Sequence, residues 1–256
     1  MGKIIGLINQ KGGTGKTTTA TNLGAFLAAM GKYVLLVDLD PQANATSGLG
    51  HDASKIEKSL YHSIINEEPP HASIKKTSIF GYELFPSSTD LAGATVELVN
   101  LPEREYRLHN VLEKLRQNYD YILIDSPPSL GLLTINGLVA ADELIVPVQT
   151  EYYALEGLGN LIRTVNLVQE NLGRDLKIKG ALLTMYDKRS TLSRQVAKEV
   201  QRHFPGRVFD AVIPRCVSLA EAPSHGKTIL HYEPNSKGAN AYRQLAKEIV
   251  DLDLES

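Results

Sequence analysis

A chain of 256 residues with 43% hydrophobic and 22% charged residues has the make-up of an ordinary folded globular protein, long enough to bury a substantial core as one large domain or two small ones. A net charge of −2 means that attraction to any polyanion must come from a local patch, and a single cysteine, Cys216, excludes an internal disulfide or a multi-cysteine metal site within one chain. No apolar run approaches the ~20 residues of a membrane span, and the Met-Gly-Lys start shows neither a secretory leader nor a myristoylation pattern, so the expected compartment is a reducing cytoplasm.

The first predicted strand is "KIIGLI", Lys3 to Ile8, apolar on both faces and therefore buried on both. Directly after it "NQKGGTGKTT" crowds glycines and lysines ahead of a helical pattern from Lys16 to Met30. A glycine-rich turn between a strand and a helix aims backbone N–H groups at an anion, with the positive end of the helix dipole behind them. Gly12, Gly13 and Gly15 let the backbone wrap closely, and Thr14 completes the turn. Lys16 supplies a cation for the β and γ phosphates, and the Thr17 hydroxyl, next to Thr18, can ligate Mg²⁺. The general phosphate-loop pattern is not fully met, because Gln10 stands where its first glycine belongs.

Gly31 closes the first helix, and the next strand, "YVLLVD", delivers Asp38 and Asp40 in "VDLDPQANAT". Residues 48–89 are irregular and polar, with one short helix near 59–66, and are expected to form an excursion on the rim of the sheet. A helix pattern from Arg104 to Gln117 precedes "YILIDSPPSL", which again ends a buried strand on an aspartate, Asp125. Open parallel sheets bind ligands at such strand ends, so Asp38, Asp40 and Asp125 are candidates for metal and water positioning, with helix capping or a turn as the plain alternative. Two more strands, Glu143 to Val148 and Ile178 to Thr184, and three more helices, Leu155 to Asn171, Leu192 to His203 and Ala239 to Val250, complete the alternation. The pattern predicts one α/β domain over residues 1–256: a mostly parallel twisted sheet with helices on both faces, of the phosphate-loop NTPase kind. Its acidic tail, residues 249–256, is expected to fray.

From Lys188 to Arg207 six bases face one acid, Glu199, a net charge of +5. Arg194, Lys198 and Arg202 recur every four residues and share one side of a helix, where, together with Lys188 and Arg189, they could neutralise DNA phosphates without reading bases. A merely solvated helix face is the alternative that charge alone leaves open.

The run K-G-G-T-G-K-T-T, Lys11 to Thr18, resembles the deviant phosphate loop of the ParA/MinD superfamily of ATPases, and "SPPSLGLLTINGL" and "IPRCVSLAEAPSHGK" are similar to its chromosomal ParA/Soj branch. The resemblance implies ATP and Mg²⁺ as cofactors, and a sandwich homodimer in the ATP-bound state, in which Lys11 crosses to the partner's phosphates. It also implies a water-positioning role for Asp40, a Walker B role for Asp125 that reaches Mg²⁺ through water, and adenine contact at Pro214. In that branch an arginine matching Arg189 contributes to non-specific binding of double-stranded DNA, while Ser218 and Cys216 depart from the expected residues. Further implications are slow intrinsic hydrolysis, a ParB/Spo0J-like activator, nucleoid association and chromosome partition; a link to replication initiation through DnaA is left open by these residues. The alternative within the superfamily, a MinD-like membrane-associated ATPase, needs a basic amphipathic terminal helix, whereas this chain ends "LAKEIVDLDLES".

Overall fold

The computed structural model describes residues 2–152 and 154–255, without side chains at 154–156. Seven strands form one sheet: β1 (Lys3–Leu7), β2 (Val34–Asp38), β3 (Lys75–Lys76), β4 (Tyr82–Phe85), β5 (Tyr121–Asp125), β6 (Glu143–Gln149) and β7 (Lys177–Thr184). Their order is β3-β4-β2-β5-β1-β6-β7, with every pairing parallel except the antiparallel β3–β4 edge. The principal helices are α1 (Lys16–Ala29), α2 (Asn44–Gly48), α3 (Leu60–Ile65), α4 (Leu91–Glu97), α5 (Arg107–Glu113), α6 (Leu132–Ala140), α7 (Ala154–Leu172), α8 (Thr191–His203), α9 (Val217–Glu221), α10 (Ile229–Tyr232) and α11 (Lys237–Glu255).

Alternation along each strand splits the apolar side chains between two faces. Ile5, Leu7, Leu36 and Leu123 pack with Phe26 of α1 and with Tyr242 and Leu245 of α11. Their neighbours Ile4, Leu35, Val37 and Ile122 point the other way, toward Leu60 of α3, Leu91 of α4, Leu112 of α5 and Leu133 of α6. Farther along that second face, Leu161 of α7 and Val196 of α8 cover Val146 and Leu183. Gly31 and Gly173 both adopt left-handed backbone at helix ends, as the sequence suggests.

Three elements depart from expectation. Residues 48–89 are more than a rim excursion, because they supply β4, which pairs with β2 and buries Tyr82, Leu84 and Phe85. Tyr82 sits against Gly24 so closely that a Cβ there would lie 2.6 Å from the ring. The helix expected from Arg104 to Gln117 is shorter, spanning Arg107–Glu113 with a separate turn at Arg116–Asn118.

The acidic tail does not fray. Helix α11 continues to Glu255, and the buried Asp253 accepts hydrogen bonds from Lys3 Nζ (2.7 Å), Lys179 Nζ (2.5 Å) and the Tyr121 hydroxyl (2.7 Å). Only Ser256 of that tail lies outside the described residues. The two cations and the phenol come from the starts of three strands, at the end of the sheet opposite the glycine-rich loop.

Both margins of the sheet are occupied or short. β3 is two lysines long, and the outer edge of β7 takes backbone hydrogen bonds from the returning segment 207–213, among them Ala181 N–H to the Arg207 carbonyl at 2.9 Å and Ile213 N–H to the Leu183 carbonyl at 2.9 Å.

Candidate nucleotide site

The loop after β1 is rooted by Asn9, whose amide donates to the Pro147 carbonyl (2.7 Å) while its carbonyl oxygen accepts from the Lys11 N–H (3.0 Å). The Gln10 side chain reaches α7, donating to Thr164 Oγ1 at 3.2 Å. That contact accounts for a residue other than glycine at the first loop position. Gly13 and Gly15 have φ of 74° and 88°, a region in which an L side chain is strained, and no atom lies within 4 Å of a Cβ placed on Gly12 or Gly13. The backbone is therefore open to an anion on that side.

A cavity of about 620 Å³ stands over this loop, lined by Gly12, Gly13, Gly15, Lys16, Thr17, Thr18, Asp40 and Pro128 together with residues of α2 and the Pro223 turn. Beside it a smaller, largely apolar cavity of about 200 Å³ is lined by Thr18, Met185, Pro214, Cys216, Leu219 and Tyr242. Gly15, Thr18 and Met185 border both, so the two form one elongated recess with a polar half and an apolar half. Those are the dimensions and chemistry of a nucleotide: phosphates over the glycine-rich turn, a purine ring beyond. Cys216 lines the apolar half together with Pro214 and Arg215. Thr14 is buried and its hydroxyl donates to the Lys11 carbonyl.

The two lysines occupy different places. Lys16 is only 6% exposed, its Nζ donates to the Lys11 carbonyl (3.3 Å), and burial lowers its pKa against the opposing pull of Asp125 and Asp40. Lys11 stands outside the cavity lining with 37% of its side chain exposed, its ammonium 3.6 Å from Glu151, an acid that Arg215 also contacts at 3.3 Å.

The carboxylates also divide. Asp38 and Asp125 face each other in register on adjacent strands and are fully buried. Asp38 accepts from Thr46 N–H (2.8 Å), Thr46 Oγ1 (2.7 Å) and Asp40 N–H (3.3 Å). It is a structural tie that fastens α2 and the Asp40 turn to β2, and burial, only partly offset by those bonds, pushes its pKa up to about 6. Asp40 lines the cavity, its Oδ1 accepting from Gln42 N–H at 3.0 Å, while its own carbonyl takes the Ser87 hydroxyl at 2.8 Å. Ala43, just beyond, is held at φ 53°, a strained conformation at the edge of the site.

Asp125 is the least satisfied group. Neither carboxylate oxygen has a hydrogen-bond partner among the described residues, and burial followed by the charge of Asp38 raises its pKa well above the usual carboxylate range. The Thr17 hydroxyl and the Lys16 ammonium draw it back toward the charged form without closing a well-formed hydrogen bond. A buried carboxylate with open lone pairs beside a threonine hydroxyl, Asp40 and a phosphate recess fits a hydrated divalent cation shared with the nucleotide. Thr17, Asp40 and Asp125 are the residues that would hold Mg²⁺, which when bound would neutralise phosphate charge, and Lys16 would add its ammonium to that neutralisation.

The basic residues are all exposed, away from the recess. On α8 the buried side carries Ser193, Val196, Ala197 and Val200, which leaves Arg194, Lys198 and Arg202 together on the outer side. Arg189 is 88% exposed and near Asp187 (3.5 Å), Arg194 donates to the Lys188 carbonyl (3.0 Å), and Arg202 is 4.0 Å from Glu199. These contacts are loose and leave the stripe open to solvent.

Residues 2–178 match the family model described as an AAA domain. The chain is 55% identical over 250 residues to the sporulation initiation inhibitor protein Soj of Bacillus subtilis, covering 98% of this chain and 99% of that protein. It is 48% identical over 253 residues to the chromosome partitioning protein ParA of Myxococcus xanthus, covering 99% and 89%. Among solved structures, a Mycobacterium smegmatis protein described as cobyrinic acid a,c-diamide synthase, with bound ATP analogue and magnesium, superposes with a TM-score of 0.86 at 41% identity, covering 98% of this chain and 95% of that one. A bound ATP analogue and magnesium in that fold agree with the recess and the orphaned carboxylate found here. With a relative above half identity along almost its whole length, the chain belongs to the Soj/ParA family of chromosome-partitioning ATPases.

Proposed function

We propose that this ATPase partitions DNA by a nucleotide-timed cycle. ATP joins two copies face to face, the dimer holds double-stranded DNA without reading its sequence, and a ParB/Spo0J-like activator triggers hydrolysis and release. The observation that carries the reading is the separation of the two lysines: Lys16 is buried in its own phosphate recess, whereas Lys11 stands outside it, half-exposed. Two polyanionic nucleotides facing each other repel, and a lysine from each copy laid against the opposite phosphates turns that repulsion into charge-assisted bonds. The γ-phosphate supplies much of the charge, so ATP favours the pair more than ADP does, and assembly follows the difference in affinity.

Asp40 supports the hydrolytic step by holding the attacking water from the cavity wall, with Asp125 behind the metal. Among the described residues no arginine lines the polar half of the recess, which supports slow turnover until an activator acts. Pairing doubles the exposed α8 stripe, and two linked patches raise DNA affinity ~10²-fold without a new kind of contact. On this reading the working protein acts in the cytoplasm on the nucleoid. Against the MinD-like alternative, α11 already uses Ala241, Leu245 and Ile249 in the core.

The test is DNA co-sedimentation with ATP, ADP or no nucleotide at two salt concentrations, on the native chain and on Arg189→Glu. Retention that needs ATP, weakens with salt and disappears in the variant while ATP-driven pairing persists supports the proposal. Equal retention in all three nucleotide states, or in the variant, refutes it.

A further inference from the structure

The glycine-rich loop is held by a residue that no motif marks, on the side where the apolar half of the recess begins. In a trans peptide the carbonyl and the N–H point in opposite directions, so whatever anchors the Thr14 carbonyl decides where the Gly15 N–H is aimed. That anchor is Thr184, the last residue of β7 and 170 positions downstream, whose Oγ1 donates to the Thr14 carbonyl at 2.8 Å between two buried side chains. The Thr184 side chain also lies 3.7–3.9 Å from the place a Cβ would take on Gly15, so it closes against the loop as well as bonding to it.

Thr184 is itself fixed through a directed series of donors. The Asp187 N–H donates to Ser193 Oγ (3.1 Å), Ser193 Oγ donates to Thr150 Oγ1 (2.8 Å), and Thr150 Oγ1 donates to the Thr184 carbonyl (3.3 Å), which also accepts the Thr150 N–H at 3.2 Å. Thr150 and Ser193 are buried, so each hydroxyl works away from competing water and polarises the next. Ser193 belongs to the first turn of α8, one residue before Arg194 of the basic stripe.

We propose that Thr184 is a positioning residue of the ATPase site, aiming the Gly15 N–H at the phosphates, and that Thr150 and Ser193 carry this brace to the root of the basic helix. The part that concerns α8 rests on the DNA-binding reading above; the part that concerns Thr184 does not.

Thr184→Val keeps the branched shape and removes the hydroxyl. Titrated with a fluorescent ATP analogue and Mg²⁺, this variant should bind about tenfold more weakly, the loss of one correctly aimed donor to a charged phosphate. Thr184→Ser, which restores the hydroxyl, should return to within about twofold of the native chain, and adenosine, which has no phosphate, should compete equally well against all three. Native-like ATP binding by the valine variant, failure of serine to rescue, or an equal loss for adenosine would each overturn the proposal. Should the valine variant not fold, Thr150→Val tests the same brace one step back: about threefold weaker ATP binding supports it, and no change overturns it. Ser193→Ala tests the α8 clause by the ratio of DNA retained with and without ATP. A severalfold lower ratio supports the clause and a native ratio overturns it, whereas a native chain without ATP-dependent retention sinks the DNA reading and leaves the ATP titrations to decide Thr184.

Discussion

Asp253→Ala removes the acceptor that ties the end of α11 to the sheet. The carboxylate takes hydrogen bonds from two ammonium groups and one phenol, and its side chain is 9% exposed. Deleting one member of a fully buried ion pair costs about 3–5 kcal/mol, because the other charge is left stranded. Here Lys179, 6% exposed, keeps Glu143 at 2.7 Å, and Lys3, one-third exposed, can rehydrate. The expected loss is therefore smaller, about 2–3 kcal/mol, or about 5–10 °C in Tm for a chain of this size. Its pH dependence has a definite sign. The bonds from Lys179, Lys3 and Tyr121 outweigh the cost of burial and hold the Asp253 pKa below the ordinary value. The stabilisation is thus complete above pH ~4 and is lost as pH falls through the lowered pKa, so native and variant converge in acid. Urea unfolding at pH 7 and pH 3 reads both effects, with the exposed Asp251→Ala as control. If Asp253→Ala behaves like that control at pH 7, the terminal helix is frayed and the reasoning fails. ATP affinity should be unchanged, since the clasp lies at the far end of the sheet.

Two further outcomes follow from the recess and one from the core. Lys16→Ala should abolish ATP binding, whereas Lys11→Ala should keep binding and lose ATP-driven pairing in analytical ultracentrifugation; identical defects in both would remove the division of roles. Asp40→Ala should bind ATP and stay paired on DNA while phosphate release falls by two or more orders of magnitude, and rapid turnover would contradict its placement of water. Gly24→Ala would put a Cβ 2.6 Å from the Tyr82 ring and should destabilise by about 1–3 kcal/mol in thermal unfolding without changing ATP affinity in the folded fraction.

The parts of the site that were legible in sequence are those where chemistry is local. Gly12 to Thr18 announce a phosphate loop because glycine, lysine and hydroxyl must follow a strand at fixed spacing, and Asp40 and Asp125 stand out because an acid ends an apolar run. Asp38 looks identical to them by that criterion, and only the bonds from Thr46 show that its oxygens are spent on structure. Thr184, Thr150 and Asn9 act through contacts between residues far apart in the chain, and a lone threonine or asparagine at a strand end carries no pattern. β4 escaped notice because four residues, one of them Glu83, are too few to show alternation; Glu83 is tolerated because it accepts the Tyr119 hydroxyl. Helix α6 shows no apolar stripe in sequence, since its buried residues, Thr134 and Asn136 among them, run round the helix. The tail misled because acids near a terminus read as solvated, while their counter-ions, Lys3 and Lys179, are supplied by distant strands.

The margins of the sheet set a limit on how copies of this chain can assemble. A sheet grows into a fibre by adding strands at an open edge, but β3 offers two residues and two lysines, and β7 is already hydrogen-bonded along its outer side by the segment that returns from α8. Strand addition finds little free edge at either margin, since β3 is two residues long and the returning segment covers β7 from Ala181 onward, so contacts between copies are expected to use side-chain surfaces and to leave every strand paired.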